Sequence, residues 1–324
     1  VSPEATLHAV RLTPARLFAS ATLRVLGLSL RVESNSPRVI AAAREAFGAP
    51  DADESPGQAE ARIRINVRPR RAGDAGPVSH GVPRSNLLLL SSAGCHGYAD
   101  TTLGEAVAEV GEGLVDDREH FRCGVLEALA LFMLARRDRD PLHAAAVVRG
   151  GTALLLAGPS GVGKSTLVYA AARAGLEILS EDAVFLQLDP FRVWGMPRFV
   201  HLTPATVRFF PELEGVRPKL LANGKTKLAL DLRERAPAAA TAFAERAGVC
   251  LLARGDAPGV EALGADEVVA ALTAAPEPGF DLYAGSVGGR IRHAAERGAW
   301  RMTLPAHPSD AVPMLHRMLD ALEG

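Results

Sequence analysis

The sequence predicts an α/β protein of two modules, a smaller one over residues 1–137 and a larger one over residues 138–324. Three observations carry this. Strand-length apolar runs alternate with segments of helical periodicity, as where Ala153–Ala157 is followed by Leu167, Ala170, Ala171 and Ala174. A chain of 324 residues suits about two domains, and 48% hydrophobic with 23% charged residues is ordinary for a globular protein. Between that run and that helix lies Gly158-Pro-Ser-Gly-Val-Gly-Lys164-Ser165, which fits G-x-x-x-x-G-K-[ST] at every fixed position.

The N-terminal module reads as α/β or β-rich. Leu23–Val32 partly alternates and predicts one strand. Ser36 and Pro37 open a helix as N-cap and first residue. Val39, Ile40, Ala43, Ala46 and Phe47 form its buried face and Gly48 stops it. Asp51–Glu60 is a polar loop. Ala61–Val67 alternates, with Ile63, Ile65 and Val67 on one face and Arg62, Arg64 and Asn66 on the other. Pro69–Pro83 is rich in Gly and Pro and reads as a loose, mobile loop, and Leu87–Leu90 as a buried strand. Residues 91–120 give no clear pattern; Ala106–Val110 fits strand or helix. Phe121–Arg137 is a helix with Val125, Leu126, Leu129, Phe132 and Met133 on one face.

In the second module, Pro141 ends that helix and Leu142–Val148 is a strand that turns at Gly150-Gly151 into the run Ala153–Ala157. Ser165–Ala174 is a helix stopped by Gly175. Glu177–Leu188 reads as mostly strand, returning after Asp189-Pro190 through Phe191–Trp194. Further strands are expected at Met196–Leu202, Thr226–Leu232 and Val249–Ala253, and helices at Ala265–Leu272 and Ser309–Leu322. Phe209–Asn223 is irregular and Ala236–Ala244 a linker.

The glycine motif carries the chemistry. Its glycines let backbone wrap phosphate oxygens, and the following helix N-terminus offers free N–H groups and a partial positive charge. The pattern assigns the cradle to Gly158, Ser160, Gly161, Val162, Gly163, Lys164, Ser165 and Thr166. Lys164 reaches the outer phosphates and the Ser165 hydroxyl sits on Mg²⁺; ATP and Mg²⁺ are the expected cofactors, with another phosphate donor left open because the motif alone does not separate kinases, GTPases and ATPases. No N-K-x-D guanine motif, no Walker B run ending in Asp and no arginine-finger motif stands in the sequence.

Ser180-Glu181-Asp182 follows on the next strand. Phosphoryl transfer to a hydroxyl needs a metal ligand and a base. Asp182 reads as the base, and Glu181 or Asp182 joins Ser165 on the metal. Adjacent strand residues face opposite sides, so both serve only if the strand bends there or one acts through water. A plain strand-end pair is the alternative.

His143, the glycine motif, Gly175 and Glu181-Asp182-Ala183-Val184 together resemble the core of the bacterial HPr serine kinase/phosphorylase family, over about residues 138–190. The carboxylates fall seventeen and eighteen residues after Lys164, similar to that family's Asp-Asp, and His143 matches its active-site His. The resemblance implies a P-loop domain of the HPr kinase/PEP carboxykinase type. It implies catalytic roles for Asp182, His143 and Lys164, with His143 orienting a carboxylate or touching the transferring phosphate. Leu142-His-Ala-Ala145 and Ser180-Glu-Asp182 are still more similar to HPr-kinase-like proteins of peptide-modifying pathways, among them lasso-peptide kinases that phosphorylate a precursor's C-terminal Ser. Glu181 departs from the family's usual Asp, and the Glu-x-Arg-Gly-x-Gly-Ile-Ile-Asp signature is missing, which argues against HPr as substrate.

The expected partner is therefore a peptide or protein bearing Ser, docked on the N-terminal module. A small-molecule kinase and a non-catalytic nucleotide-binding regulatory module stay open, as does self-association. A net charge of -1 gives no bulk case for nucleic acid, and the arginines near Arg62–Arg71 read as a solvated face. Cys95, Cys123 and Cys250 lack metal spacing and, with no membrane-spanning run or signal peptide, suggest a reduced cytoplasmic setting. Lys225, Lys227 and Gly285–Arg290 read as exposed residues and a flexible turn, or as further anion contacts.

Overall fold

The computed structural model describes residues 16–48, 59–274, 280 and 284–324, the side chains of residues 233, 237, 284 and 285 excepted. The chain divides into two compact units, Val1–Arg137 and Asp138–Gly324. Most of the polar loop expected at Asp51–Glu60 lies outside the described residues.

The first unit is built on a seven-stranded sheet. In chain order its strands are β1 (Ala19–Val25), β2 (Leu28–Ser34), β3 (Ala61–Arg68), β4 (Ser79–Arg84), β5 (Leu87–Ser92), β6 (Cys95–Asp100) and β7 (Glu105–Gly111). Their spatial order is β1-β2-β3-β7-β6-β5-β4. The single strand expected at Leu23–Val32 is two. Leu26 and Gly27 take φ of 51° and 76°, a tight turn that pairs Val25 with Leu28. A Leu at the first turn position hides the hairpin, because Asn or Asp is the usual signal there. Helix α1 (Pro37–Phe47) starts and stops where Pro37 and Gly48 place its ends. Ser36 makes no side-chain cap.

On β3, Ile63 and Ile65 are fully buried. The arginines of the opposite face are met by carboxylates: Arg64 lies 3.5 Å from Glu33 and 3.3 Å from Glu105, and Arg68 2.9 Å from Asp74. Pro69–Pro83 is not the loose loop expected. Its end is strand β4, and its start is pinned by Asp74, whose carboxylate accepts from both Arg68 Nη atoms at 3.2 and 2.9 Å and from the Arg71 N–H at 2.8 Å. Gly111 makes room for it, since a Cβ there would stand 2.1 Å from Asp74 Oδ2. The expected Phe121–Arg137 helix is helix α2 (Ala128–Ala135), entered through a π-helical turn at Arg122–Glu127. His80 Nε2 lies 2.9 Å from the Gly124 carbonyl of that turn.

The second unit centres on a six-stranded sheet. Its strands are β9 (Ala144–Arg149), β10 (Thr152–Ala157), β11 (Glu177–Ser180), β18 (Arg246–Ala253), β19 (Gly259–Ala262) and β20 (Ala299–Thr303), in the spatial order β11-β9-β10-β18-β20-β19. Helices α3 (Lys164–Arg173) and α6 (Val312–Glu323) cover one face. There Leu154, Leu156, Leu167, Val168, Leu315 and Leu319 share a core with Val200, Leu228 and Leu230. The last three come from a small sheet of β14 (Phe199–Leu202), β15 (Lys219–Leu220) and β16 (Thr226–Asp231). On the other face Ala153, Leu155 and Ala157 meet Val268 of α4 (Ala265–Thr273) and Val287 and Ile291 of α5 (Ala284–Ala295). A four-stranded sheet packs there too, formed by β8 (Asp140–Leu142), β12 (Val184–Gln187), β13 (Arg192–Trp194) and β17 (Phe243–Ala244).

The second unit departs from the sequence pattern in three places. Leu142–Val148 is not one strand: Asp140–Leu142 pairs with β12, and after His143 the chain switches sheets so that Ala144–Arg149 pairs with β10. Glu177–Leu188 breaks in the same way at Glu181–Ala183, leaving β11 in the six-stranded sheet and β12 in the four-stranded one. Gly285–Arg290 is part of helix α5, not a turn. Three glycines lower its helix propensity, but burial of Val287, Ile291, Ala294 and Ala295 overrides it.

Candidate functional site

The alternation of strand directions brings the expected residues to one edge of the six-stranded sheet. β10 ends there at Ala157, opposite Ala144, the first residue of antiparallel β9. The loop after β10 and His143, just before β9, therefore leave the same edge. β11 runs antiparallel to β9, with Ser180 opposite Ala146, so Glu181 and Asp182 emerge there too. β18 is parallel to β10, with Ala157 opposite Leu251, and delivers Arg254 to the same edge. Crevices at this end of parallel strands are where open α/β sheets bind ligands. β9 intervenes between loop strand and carboxylate strand, so the two are about 10 Å apart in strand spacing.

The loop needs its glycines. Gly158, Gly161 and Gly163 take φ of 154°, 83° and 122°. A Cβ on Gly158 would lie 2.9 Å from the Leu252 carbonyl oxygen, which is backbone and cannot step aside. Lys164 is the first residue of α3 and only 7% exposed. Its Nζ folds back to donate to the Gly158 carbonyl at 2.6 Å, which holds a cation across the loop. Ser165 and Thr166 follow, half-buried, in the first turn of α3. Ser160 and Gly161 are exposed at the loop tip, and Val162 is buried. Gly175, at φ 92°, ends the helix, and the next N–H, of Leu176, bonds the Ala171 carbonyl.

The chain bends at the two adjacent carboxylates. Ser180 Oγ accepts from the Asp182 and Ala183 N–H groups at 3.3 and 3.2 Å, which ends β11 and turns the chain. The carboxylates then part company. The Glu181 side chain is 10% exposed, with Oε1 2.5 Å from His201 Nδ1. The Asp182 side chain is 71% exposed, with Oδ1 3.5 Å from His143 Nδ1. The His143 ring is largely covered and stands 5.5 Å from the Phe280 ring. Glu181 is thus a held carboxylate and Asp182 an open one beside an imidazole.

Two residues here escape sequence reasoning. His201 lies on β14, in a different sheet. Arg254 donates from Nε to the Val162 carbonyl at 2.9 Å, and its Nη2 lies 2.8 Å from where a Gly163 Cβ would stand. Its guanidinium therefore lies against the loop backbone. The available signal was position: an apolar strand neighbouring β10 ends one residue before it. Among the described residues no group of three or more His, Cys, Asp and Glu could hold a metal. A hard cation that keeps waters and phosphate oxygens as ligands needs only one or two protein oxygens, a number that Ser165 and one carboxylate could meet. The glycine cradle and buried Lys164 fit a nucleotide's phosphates.

No family model matches the sequence, and no curated protein matches it. Among solved structures, the HPr(Ser) kinase/phosphatase from Coxiella burnetii aligns over 57% of this chain and 99% of that one, at 12% identity and a TM-score of 0.34. No helix among the described residues is long and apolar enough to cross a membrane.

Proposed function

We propose that this chain is an ATP- and Mg²⁺-dependent phosphotransferase acting on a serine hydroxyl of a peptide or protein. The observation that carries the reading is the shared sheet edge: a glycine loop with a buried lysine across it, and an exposed carboxylate beside a largely covered imidazole leaving the same edge. ATP supplies the phosphoryl group and Mg²⁺ offsets its charge. Lys164 adds a cation against the outer phosphates, and the loop N–H groups fix their position. Asp182 accepts the proton as the serine oxygen bonds to phosphorus, while the bond from phosphorus to the bridging oxygen breaks and leaves ADP. His143 orients Asp182 through its Nδ1. Ser165 offers its hydroxyl to the metal, with Glu181, steadied by His201, as the candidate carboxylate ligand.

The test is direct. The full chain is incubated with ATP, Mg²⁺ and serine-containing peptides, ribosomal precursor peptides of the lasso type first, with HPr alongside. Mass spectrometry reads an added phosphate, and calorimetry reads ATP binding. The expected result is modification of peptide serine, with HPr a poor substrate. Modification of HPr alone overturns the peptide assignment. Tight ATP binding with neither modified points to a small-molecule acceptor or a regulatory module. No ATP binding overturns the whole reading.

A further inference from the structure

We propose that the β15–β16 hairpin is a docking arm for an acidic peptide segment adjoining the acceptor serine, an inference that rests on the phosphotransferase reading. The hairpin pairs Lys219 directly with Lys227 and Leu220 with Thr226, and the ladder continues where the Leu221 N–H bonds the Lys225 carbonyl. Residues directly opposite one another in an antiparallel pair share a face, as do residues two apart on a strand. Lys219, Lys225 and Lys227 therefore crowd one face. Among the described residues no carboxylate pairs with any of the three, while elsewhere arginines of this unit are met by acids, as Arg198 is by Asp231 and Arg290 by Asp138 and Asp140. Like charges held directly opposite destabilise a hairpin, so folding gives no reason for this arrangement.

The lysine face leads to the candidate site. On β16, Ala229 lies two residues beyond Lys227 and directly opposite His201 on β14. His201 therefore shares the lysine face, and it is the residue bonded to Glu181 at 2.5 Å. The reverse face carries Leu202, Leu228 and Leu230, all buried in the core. The sheet is thus a one-sided platform, with the site carboxylate's partner at one end and three cations at the other. Two residues of strand separate Lys227 from the His201 level by about 7 Å. An extended peptide covers that span in about two residues. The preferred acidic side chains therefore lie about two to four residues from the acceptor serine.

The occupant is a carboxylate-bearing polypeptide rather than the nucleotide, because Lys164 and the loop N–H groups already serve the phosphates on a different strand of a different sheet. The experiment measures binding apart from turnover. A rhodamine-labelled peptide with one Ser flanked by Asp and Glu, and its Asn/Gln counterpart, are titrated into the full chain by anisotropy at low and high salt. Calorimetry with ATP and Mg²⁺ runs alongside. Wild type is expected to prefer the acidic peptide. K219Q/K225Q/K227Q should lose roughly tenfold of that affinity, since each exposed pair is worth only about 1.5–5-fold. The preference should fade in high salt as the screening length drops from about 10 Å at 0.1 M to about 3 Å at 1 M. The triple variant should bind ATP normally and melt no lower than wild type, a readout that a structural role for the lysines would move. Equal binding of the two peptides, or an unchanged acidic-peptide affinity in the variant, overturns the inference. So does a variant that loses ATP instead of peptide. Absent ATP binding in wild type overturns the phosphotransferase reading separately.

Discussion

Asp182→Asn and Glu181→Gln are neighbouring, near-isosteric changes that the geometry separates. The Asp182 side chain is 71% exposed and its contact with His143 is a long 3.5 Å, so losing its charge should leave stability within about 0.5 kcal/mol of wild type. Its effect should fall on turnover. Removing a general base typically costs about 10²–10⁴-fold, or roughly 3–5 kcal/mol of barrier. Glu181 is 10% exposed, and its 2.5 Å bond to His201 ties the bend after β11 to β14. Glutamine keeps a neutral hydrogen bond and gives up the charge assistance, a loss of about 1–2 kcal/mol. In a unit of this size that lowers the melting temperature by about 2–8 °C. The assay pairs thermal melts with single-turnover phosphorylation of an accepted peptide, and calorimetry checks that ATP still binds. The expected pattern is a stable, nearly inactive Asp182→Asn and a less stable Glu181→Gln with weakened Mg²⁺ dependence. An active Asp182→Asn beside a stable but dead Glu181→Gln would refute the division of roles.

The remaining predictions follow from other contacts. Gly158→Ala should abolish ATP binding in calorimetry and lower stability by about 1–3 kcal/mol, because its Cβ meets the Leu252 backbone oxygen at 2.9 Å and φ is 154°; retained binding would refute the cradle. Arg254→Ala should weaken ATP binding about tenfold with little change in melting temperature, whereas an unchanged affinity would leave Arg254 a structural brace for Val162. Burial opposes ionisation of Asp74, but the Arg68 hydrogen bonds and the Arg71 N–H outweigh it and hold its carboxyl below the usual range. Its stabilisation of the first unit is therefore present above the unfolded pKa of about 3.8 and lost as pH falls through the lower folded value. Acid titration of Asp74→Asn should lack that step. Burial pushes Cys95 and Cys250 up to about 12, so at pH 8 neither should react with a thiol reagent until the chain is denatured.

What the sequence by itself determined is whatever a short stretch of backbone dictates. The glycine loop is legible because positive φ at Gly158, Gly161 and Gly163 is a local requirement that no other residue meets cheaply. The ends of α1 and α3 are legible from equally local signals: Pro37 with its fixed φ at the start of α1, Gly48 after it, where a Cβ would stand 2.6 Å from the Arg44 carbonyl oxygen, and Gly175 at φ 92° after α3. Alternation in Ala61–Val67 announced a strand because its two faces meet a core and a charged surface. The carboxylate pair allowed for a bend, but the switch from one sheet to another at His143 and at Glu181–Ala183 was not legible, because the choice of partner sheet is made by strands far away in sequence. Only the tertiary structure ties Glu181 to His201, sets Asp182 beside His143 and lays Arg254 on the loop. Those are contacts between residues twenty to ninety-two positions apart, and side-chain chemistry at such range leaves no periodicity to read. The helix at Ala284–Ala295 is the converse case, where burial of one apolar face decided against what three glycines locally prefer.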